Sequence, residues 1–325
     1  MNTGLKITAF AAAVAATFGT AYGVGTGVGP VTSEKKPASE HGGHGGDEET
    51  APEKGAAESQ GDAVPGGLQI SERGYTLDLK TARIGADKRE KLRFAVVKDG
   101  KDGKDGSGKK VTAYEKEHGK ELHLIVASRD LTTYRHLHPT RAADGTWSTP
   151  VELPEAGGYR VFADFKPAGA KEGLTLGADL AVAGKYAPKE LPEHDATASV
   201  DGYEVSLRGD LKAGKSADLT LDVEKNGKPV TDLQPYLGSY GHLVALRSGD
   251  LAYLHVHPNG EPGDGRTRPG PGVSFAATAP SGGAYRLFLD FKHEGVVRTA
   301  AFTVHVGGGS GGGDSAESGD SGHSH

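Results

Sequence analysis

The chain has 325 residues and carries 37 Lys and Arg against 43 Asp and Glu, which gives a formal net charge of -6 at pH 7. A nucleic-acid partner is not expected, because the chain has no basic surplus with which to neutralise phosphates. The sequence contains no Cys, and its single Met is Met1. Cu(I) sites and blue-copper centres need sulfur ligands, so the composition excludes both. Any metal site must therefore use imidazole, carboxylate, backbone or water ligands.

The first 33 residues predict a secretion signal that is either cleaved or kept as a membrane anchor. Lys6 is followed by an uncharged stretch rich in Ala, Gly and Thr that ends only at Glu34. About 20 apolar residues suffice to cross a bilayer. The protein is therefore expected outside the cytoplasm, either anchored in the membrane or secreted.

Low-complexity segments flank the globular part of the chain. Residues 34–66 are rich in Gly, Glu, Ala and Pro, and residues 307–325 are rich in Gly and Ser. Both segments almost lack bulky apolar side chains and cannot bury a core, so both are predicted to be disordered. Two globular segments remain, residues 67–185 and 194–306, and residues 186–193 link them.

The two globular segments are copies of one module. HLIVASRDLTTYRHLHP at 123–139 aligns without a gap to HLVALRSGDLAYLHVHP at 242–258, and YRVFADFK at 159–166 aligns to YRLFLDFK at 285–292. The second copy differs by a longer loop, NGEPGDGRTRPGPG. Such self-similarity at a fixed spacing indicates a tandem duplication.

Each copy consists of short alternating or apolar runs separated by Gly, Pro, Asp and Asn, without a segment of helical periodicity. About seven such runs per module predict an all-β fold, an antiparallel sandwich of immunoglobulin-like type, with a jelly roll as the alternative. The penultimate run opens with GGY at 157–159 in the first copy and GAY at 283–285 in the second. This opening is typical of a tyrosine corner.

Both copies contain the pattern H-x12-H-x-H-P, whose His-x-His pair projects to one side of a sheet because residues two apart on a strand share a face. A two-residue turn within Ser248–Leu251 pairs His242 directly with His257. The same register sets His123 opposite His138. Paired Cβ atoms lie about 5 Å apart, so three imidazoles of one copy can converge on one metal ion. The predicted metal ligands are His123, His136 and His138 in the first copy and His242, His255 and His257 in the second.

Asp164 and Asp290 occupy equivalent positions and are candidates for a fourth ligand or for a carboxylate that orients an imidazole. With these ligand types a divalent ion is expected, with Cu(II) favoured over Zn(II). The structural alternatives are a surface ion pair with the neighbouring Lys for each Asp, and a hydrogen-bonded polar seam without metal for the histidines. His118 has Leu237 at the equivalent position of the second copy, so it is not expected to be a ligand.

Three stretches of the second copy carry a resemblance to a group of bacterial proteins. They are GKPVTDLQPYLGSYGHLVAL at 227–246, LHVHP at 254–258 and PSGGAYRLFLDFK at 280–292. With them the chain resembles the extracytoplasmic immunoglobulin-like modules of bacterial heavy-metal handling, of the YtkA-like, FixH-like and copper-resistance type. The resemblance implies metal binding or delivery, with His242, His255 and His257 as ligands. In the first copy EKEHGKELH replaces the Gly-rich approach, so that site is expected to be weaker or structural.

Two other functions fit parts of the pattern. Gly249, His255, His257 and Glu261 match the first cupin motif, G-x5-H-x-H-x3-E, which implies a metal-dependent enzyme. Arg268 replaces the later Gly of that motif and the second cupin motif lacks its histidine, so an enzyme is not expected. A tandem adhesion module would need no metal, and the fold does not exclude it. The favoured hypothesis is an extracytoplasmic protein that stores or buffers a divalent ion, or passes it to a membrane metal transporter.

Overall fold

The computed structural model describes residues 64–100, 108–254 and 256–307 of the chain. All of these residues belong to one unit of the chain, Glu58–His325. The predicted leader, nearly all of the spacer, the Gly-rich tail and His255 lie outside the described residues. Within the described ranges, no helix is long and apolar enough to cross a membrane.

Twelve strands form the described part of the first repeat, and ten strands form that of the second. The strands of the first repeat are β1 (Ser71–Glu72), β2 (Tyr75–Leu79), β3 (Arg83–Gly85), β4 (Arg89–Lys98), β5 (Lys109–Lys110), β6 (Tyr114–Glu115), β7 (Leu122–Ser128), β8 (Tyr134–Leu137), β9 (Thr140–Arg141), β10 (Thr146–Glu152), β11 (Gly157–Pro167) and β12 (Leu174–Ala183). The strands of the second repeat are β13 (Thr197–Val200), β14 (Tyr203–Arg208), β15 (Ser216–Lys225), β16 (Lys228–Pro229), β17 (Gly241–Arg247), β18 (Tyr253–Leu254), β19 (Val256–Pro258), β20 (Gly272–Thr278), β21 (Gly283–His293) and β22 (Val296–Val306). The predicted all-β class is confirmed.

Alternation of apolar and polar residues explains why these segments form strands. In β15, Leu219, Leu221 and Val223 are buried, and the polar residues between them are more exposed. A period of two places these apolar side chains on one face of the sheet. The strand ends at Asn226 and Gly227, whose φ values of 50° and 70° are those of a two-residue hairpin turn.

Each repeat folds into two sheets that pack face to face. In the first repeat the strand orders are β1-β2-β4-β10-β9, with β5 beside β4, and β3-β12-β11-β7-β8, with β6 beside β11. In the second repeat they are β13-β14-β15-β20-β19, with β16 beside β15, and β18-β17-β21-β22. The strands pair antiparallel, except that β3 runs parallel to β12. Each pair of sheets encloses its own apolar core.

The tyrosine corner predicted from the sequence is present in both repeats. The hydroxyl of Tyr159 donates a hydrogen bond to the carbonyl oxygen of Glu155 over 2.9 Å. The hydroxyl of Tyr285 donates to the carbonyl oxygen of Ser281 over 2.7 Å. A tyrosine at the start of the penultimate strand that bonds backwards to the chain is a hallmark of immunoglobulin-like sandwiches. The predicted tandem immunoglobulin-like architecture is confirmed.

A third apolar core joins the two sandwiches, and β7 shows how it forms. Leu124 and Val126 point into the first sandwich, whereas Ile125 and Ala127 point towards the second repeat. All seven residues of β7 are therefore buried, because the strand is covered on both faces. His123 shares the face of Ile125 and Ala127, so the strand directs it towards the second repeat.

Equivalent residues of the two repeats meet in this third core. The ring of Tyr134 stacks on Phe288 with centroids 4.1 Å apart and an interplanar angle of 7°. The equivalent pair, Tyr253 and Phe162, has centroids 5.8 Å apart. The same two positions of each copy contact each other, as in an isologous interface between two subunits. The interface therefore brings the outer faces of β7 and β17 together.

Candidate metal centre

Several polar side chains gather where the two repeats meet, beside the third core. The rings of His123 and His136 have centroids 5.3 Å apart, and those of His136 and His138 are 4.8 Å apart. We call the whole cluster the histidine centre. It consists of His118, His123, His136, His138, His242 and Asp290.

The three predicted ligands of the first copy lie together in the histidine centre. His136 is paired with Ile125 across β7 and β8, so its side chain lies on the same face as His123. His138 follows two residues later and keeps that orientation. One ligand nitrogen from each of His123, His136 and His138 lies within 4.8 Å of the other two.

The second repeat contributes His242 and Asp290, which are paired across β17 and β21. The His242 ring lies 4.5 Å from the His136 ring and stacks on the His123 ring, with centroids 5.3 Å apart. Asp290 Oδ2 lies 2.7 Å from His136 Nδ1, and these two side chains are 2% and 3% exposed. His136, His242 and Asp290 form a second group whose ligand atoms lie within 4.8 Å of one another. The site is thus shared between the repeats.

A chain of three polar contacts runs through the rings of His136 and His123. It links Asp290 Oδ2 to His136 Nδ1, His136 Nε2 to His123 Nδ1 over 3.1 Å, and His123 Nε2 to the carbonyl oxygen of Glu117 over 3.1 Å. An ionised carboxylate and a carbonyl only accept, so each end of the chain needs an N–H group. Two neutral imidazoles supply only two N–H groups. If both rings are neutral, the middle contact is left with two lone pairs that face each other, and a cation between them, either a proton or a metal ion, completes the chain.

Two further ring nitrogens of the histidine centre have no hydrogen-bond partner. They are Nε2 of His138 and Nδ1 of His242, and both atoms are buried. A buried polar atom without a partner is costly, and native structures contain few of them. A bound metal ion would give both of these nitrogens a partner.

Burial keeps three histidines of the centre neutral near pH 7. Burial and then the charge of His136 lower the pKa of His123 to about 4. The same two causes, in the same order, lower the pKa of His138 to about 3. Burial also holds the pKa of His242 well below its ordinary value. A neutral imidazole has a free lone pair, which is the form that binds a metal ion.

His118 lies in the histidine centre although the sequence argument set it aside. Its ring is 6.1 Å from the His123 ring and 6.0 Å from the His242 ring. His118 and Gly119 form a two-residue turn with φ values of 51° and 76°, and Leu237 and Gly238 form the equivalent turn with 54° and 75°. A site shared between two copies needs no equivalent histidine in both. The signal that could have found His118 is its turn position five residues before His123.

The second copy does not repeat the histidine arrangement of the first. The hairpin register predicted from the sequence is observed where Ala245 pairs with Leu254, but strand β18 ends at Leu254. The next strand, β19, pairs with β20 in the other sheet, where His257 is exposed and lies opposite Ala276. The expected pairing of His242 with His257 is therefore wrong, because the chain changes sheets between β18 and β19. His242 joins the histidines of the first copy instead.

The remaining sequence candidates lie in different surroundings. Asp164 accepts a hydrogen bond from the Thr175 hydroxyl over 2.8 Å and belongs to no group of converging ligands in the described part of the chain. The predicted ion pairs of Asp164 and Asp290 with the neighbouring lysines are likewise not among the contacts of the described residues, and Lys166 pairs with Glu115 instead. Glu261 of the cupin-like pattern lies in the exposed loop after β19.

One protein-family profile matches the sequence twice, over residues 70–180 and 198–308, which is more than half of the chain. The chain belongs to this family. Its description is "Domain of unknown function (DUF8832)". The two matches agree with the two sandwiches, so this chain is a tandem pair of DUF8832 domains. No curated protein matches the sequence.

Solved structures of several bacterial proteins are similar to the chain. Invasin, described as a bacterial integrin-binding protein, is 10% identical with a TM-score of 0.22, and the match covers 71% of this chain and 39% of that one. InvD of Yersinia pseudotuberculosis is 13% identical with a TM-score of 0.23, covering 73% and 58%. A putative membrane anchored protein from Corynebacterium diphtheriae is 9% identical with a TM-score of 0.21, covering 73% and 59%. At these values the likeness says nothing about the activity of the tandem DUF8832 chain.

Proposed function

We propose that the protein binds a divalent metal ion at the histidine centre. The observation that carries the proposal is the 3.1 Å contact of His123 Nδ1 with His136 Nε2, whose opposite ring nitrogens both face acceptors. His138 Nε2 and His242 Nδ1 add two buried ring nitrogens without a hydrogen-bond partner. A divalent ion can bind several of these nitrogens at once, whereas a proton would satisfy only one contact.

The distances in the centre fit a metal site. Nitrogen ligands about 2.0–2.1 Å from a tetrahedral ion lie about 3.3 Å from each other. His123 Nδ1 and His136 Nε2 are 3.1 Å apart, close to that edge. The opposite ring nitrogens face Asp290 Oδ2 and the carbonyl oxygen of Glu117. Metal-bound histidines are commonly oriented by a carboxylate or carbonyl at the other ring nitrogen.

The ligand types favour a borderline divalent ion. Four imidazoles and one carboxylate suit Cu(II) and Zn(II), and a sequence without Cys, whose single Met is Met1, disfavours Cu(I). For the same nitrogen ligands, Cu(II) binds more tightly than Zn(II). Cu(II) is therefore the ion we favour, with Zn(II) as the second candidate.

Partial exposure of the centre supports storage, buffering or delivery rather than a permanent structural role. His118 and His138 are half-buried, whereas the His136 and Asp290 side chains are almost fully covered. An ion can reach the centre past the first two residues and be held by the others. The apolar leader at residues 1–33 supports a location outside the cytoplasm, where the ion would be stored or passed to a membrane metal transporter.

Calorimetric titration of the full-length protein with Cu(II) and with Zn(II) tests the proposal. The variant His123→Ala/His138→Ala is expected to lose the tightest binding phase. The control variant His194→Ala/His305→Ala removes two exposed histidines of the second repeat whose rings are 5.8 Å apart, and it should keep that phase. Equal binding by the centre variant and the wild-type protein would assign the metal to other histidines and refute the proposal.

A further inference from the structure

His136 lies between two groups of candidate ligands. Its Nε2 faces His123 Nδ1 at 3.1 Å, and its Nδ1 faces Asp290 Oδ2 at 2.7 Å. One group of converging ligand atoms comes from His123, His136 and His138, and the other comes from His136, His242 and Asp290. The two groups share His136 and no other residue.

A single ion cannot use both groups through His136. The two nitrogens of an imidazole ring point away from each other, so each directs its lone pair at one group only. An ion about 2.0–2.1 Å from Nε2 would lie towards His123, and an ion at the same distance from Nδ1 would lie towards Asp290. The arrangement therefore offers two ion positions.

We propose that the histidine centre holds two divalent ions bridged by the imidazolate of His136. The first position uses His123, His136 and His138. The second position uses His136, His242 and Asp290. This inference rests on the proposed metal-binding function and specifies how many ions the site takes.

The protons and charges of the bridge balance without any redox step. A bridging imidazolate has given up its ring N–H proton to solvent, so that each ring nitrogen forms one bond to a metal ion. The imidazolate and the Asp290 carboxylate each bring one negative charge to the second ion. Asp164, whose charge acts on His123, brings another near the first ion. These charges offset part of the cost of burying two cations.

The bridge restricts the ions to those that bind imidazole well. Cu(II) and Zn(II) do so, whereas Mg²⁺ and Ca²⁺ prefer oxygen ligands. Cu(II) is also a suitable probe, because two Cu(II) ions joined by an imidazolate couple their unpaired electrons. A coupled pair loses most of its EPR signal at low temperature, and an isolated Cu(II) ion keeps its signal.

The experiment loads the full-length protein with Cu(II) alone and measures bound copper and EPR-visible copper on the same sample. Asp290→Asn removes the negative ligand of the second position with little change of shape, and His138→Ala removes a ligand of the first. Each variant is expected to bind one ion fewer than the wild-type protein and to show all its remaining copper by EPR. His305→Ala, an exposed position on β22, should keep both ions.

The reference for background binding is a variant with Ala at all four of His123, His136, His138 and His242. A wild-type protein that binds two ions more than this reference, with less EPR signal than bound copper, supports the bridge. One additional ion, fully visible by EPR, overturns the two-ion proposal and leaves the proposed function intact. Two additional ions that are fully visible overturn the bridge. Binding equal to the reference overturns both. If Asp290→Asn is unfolded by circular dichroism, His138→Ala provides the same comparison.

Discussion

His136 of the first repeat and Asp290 of the second repeat are joined by a 2.7 Å contact between Nδ1 and Oδ2, at a point where both side chains are buried. The other oxygen of Asp290 accepts a hydrogen bond from the Thr299 hydroxyl over 2.5 Å. Thr175 holds the equivalent Asp164 in the same way. A threonine thus fixes each carboxylate, and for Asp290 the free oxygen is directed at an imidazole. Through this contact, Asp290 of the second repeat fixes the orientation of His136, a candidate ligand of the first repeat.

Replacement of Asp290 by Asn should weaken metal binding. The amide has no negative charge to orient His136 or to attract the ion, and loss of such a carboxylate costs about 10–100-fold in metal affinity. The matched control is Asp164→Asn, at the equivalent position of the first repeat, which should weaken binding less. Calorimetric titration with Zn(II) measures both affinities. Equal losses in the two variants would contradict the assigned role of the His136–Asp290 contact.

The third core should contribute strongly to stability. Phe288 is 3% exposed and stacks on Tyr134 across the repeats. Phe288→Ala removes a buried aromatic ring and is expected to lower the free energy of unfolding by about 3–5 kcal/mol. Val297→Ala, at an exposed position of β22, should change it by about 0.5 kcal/mol or less. Urea unfolding monitored by circular dichroism gives both values, and similar small losses would show that the repeats do not depend on this core.

Much of the fold follows from local patterns in the sequence. The alternation in β15 and the GGY and GAY openings predict the sandwich and its tyrosine corners, and both are observed. The hairpin register predicted from Ser248–Leu251 is also observed, with Ala245 opposite Leu254. The reason is that strands and tight turns depend on residues close together in the chain.

The shared nature of the histidine centre did not follow from the sequence. The internal repeat predicted one site in each copy, with the site of the second copy favoured, but β18 and β19 lie in different sheets, and no local pattern marks that change. The contact of His136 with Asp290 depends on how two complete sandwiches pack. One signal was present: β7, LHLIVAS, is apolar on both faces apart from His123 and Ser128, which is typical of a strand buried on both sides. The pattern predicts that a second surface packs against the outer face of β7, but it does not identify that surface.

A bound metal ion should raise the thermal stability of the protein. The candidate ligands His136 and His242 belong to different repeats, so they come together to bind an ion only when both repeats are folded and packed. An ion that binds only the folded protein stabilises it by about 2.7 kcal/mol when its free concentration is 100 times the dissociation constant. Thermal unfolding followed with Zn(II) and then with a chelator should therefore show a reversible rise in Tm. The His123→Ala/His138→Ala variant should show a smaller rise. A Tm that does not respond to Zn(II) in the wild-type protein would contradict binding to the folded state.

Without metal, the protein should lose stability as the pH falls below about 6.5, the ordinary pKa of histidine in an unfolded chain. In the folded protein, burial lowers the pKa of His123 to about 4 and that of His138 to about 3. Between these values the unfolded chain binds protons that the folded protein does not, so acid favours unfolding. The other groups whose charges act on these two imidazoles are His118, Lys120, His136 and Asp164.

The loss of stability should be complete only when the pH comes near the pKa values of His123 and His138 in the folded protein. It should be absent above about pH 6.5. Buried His123 alone adds a slope of at most about 1.4 kcal/mol per pH unit. Urea unfolding of chelator-treated protein between pH 7.5 and pH 4.5 measures the slope, and His123→Asn should reduce it, since Asn does not titrate, whereas His138 still contributes. His305→Ala, which removes an exposed histidine, should leave the slope unchanged. A slope in His123→Asn that equals the wild-type slope would place the acid-sensitive group elsewhere, because a buried neutral His123 must contribute to it.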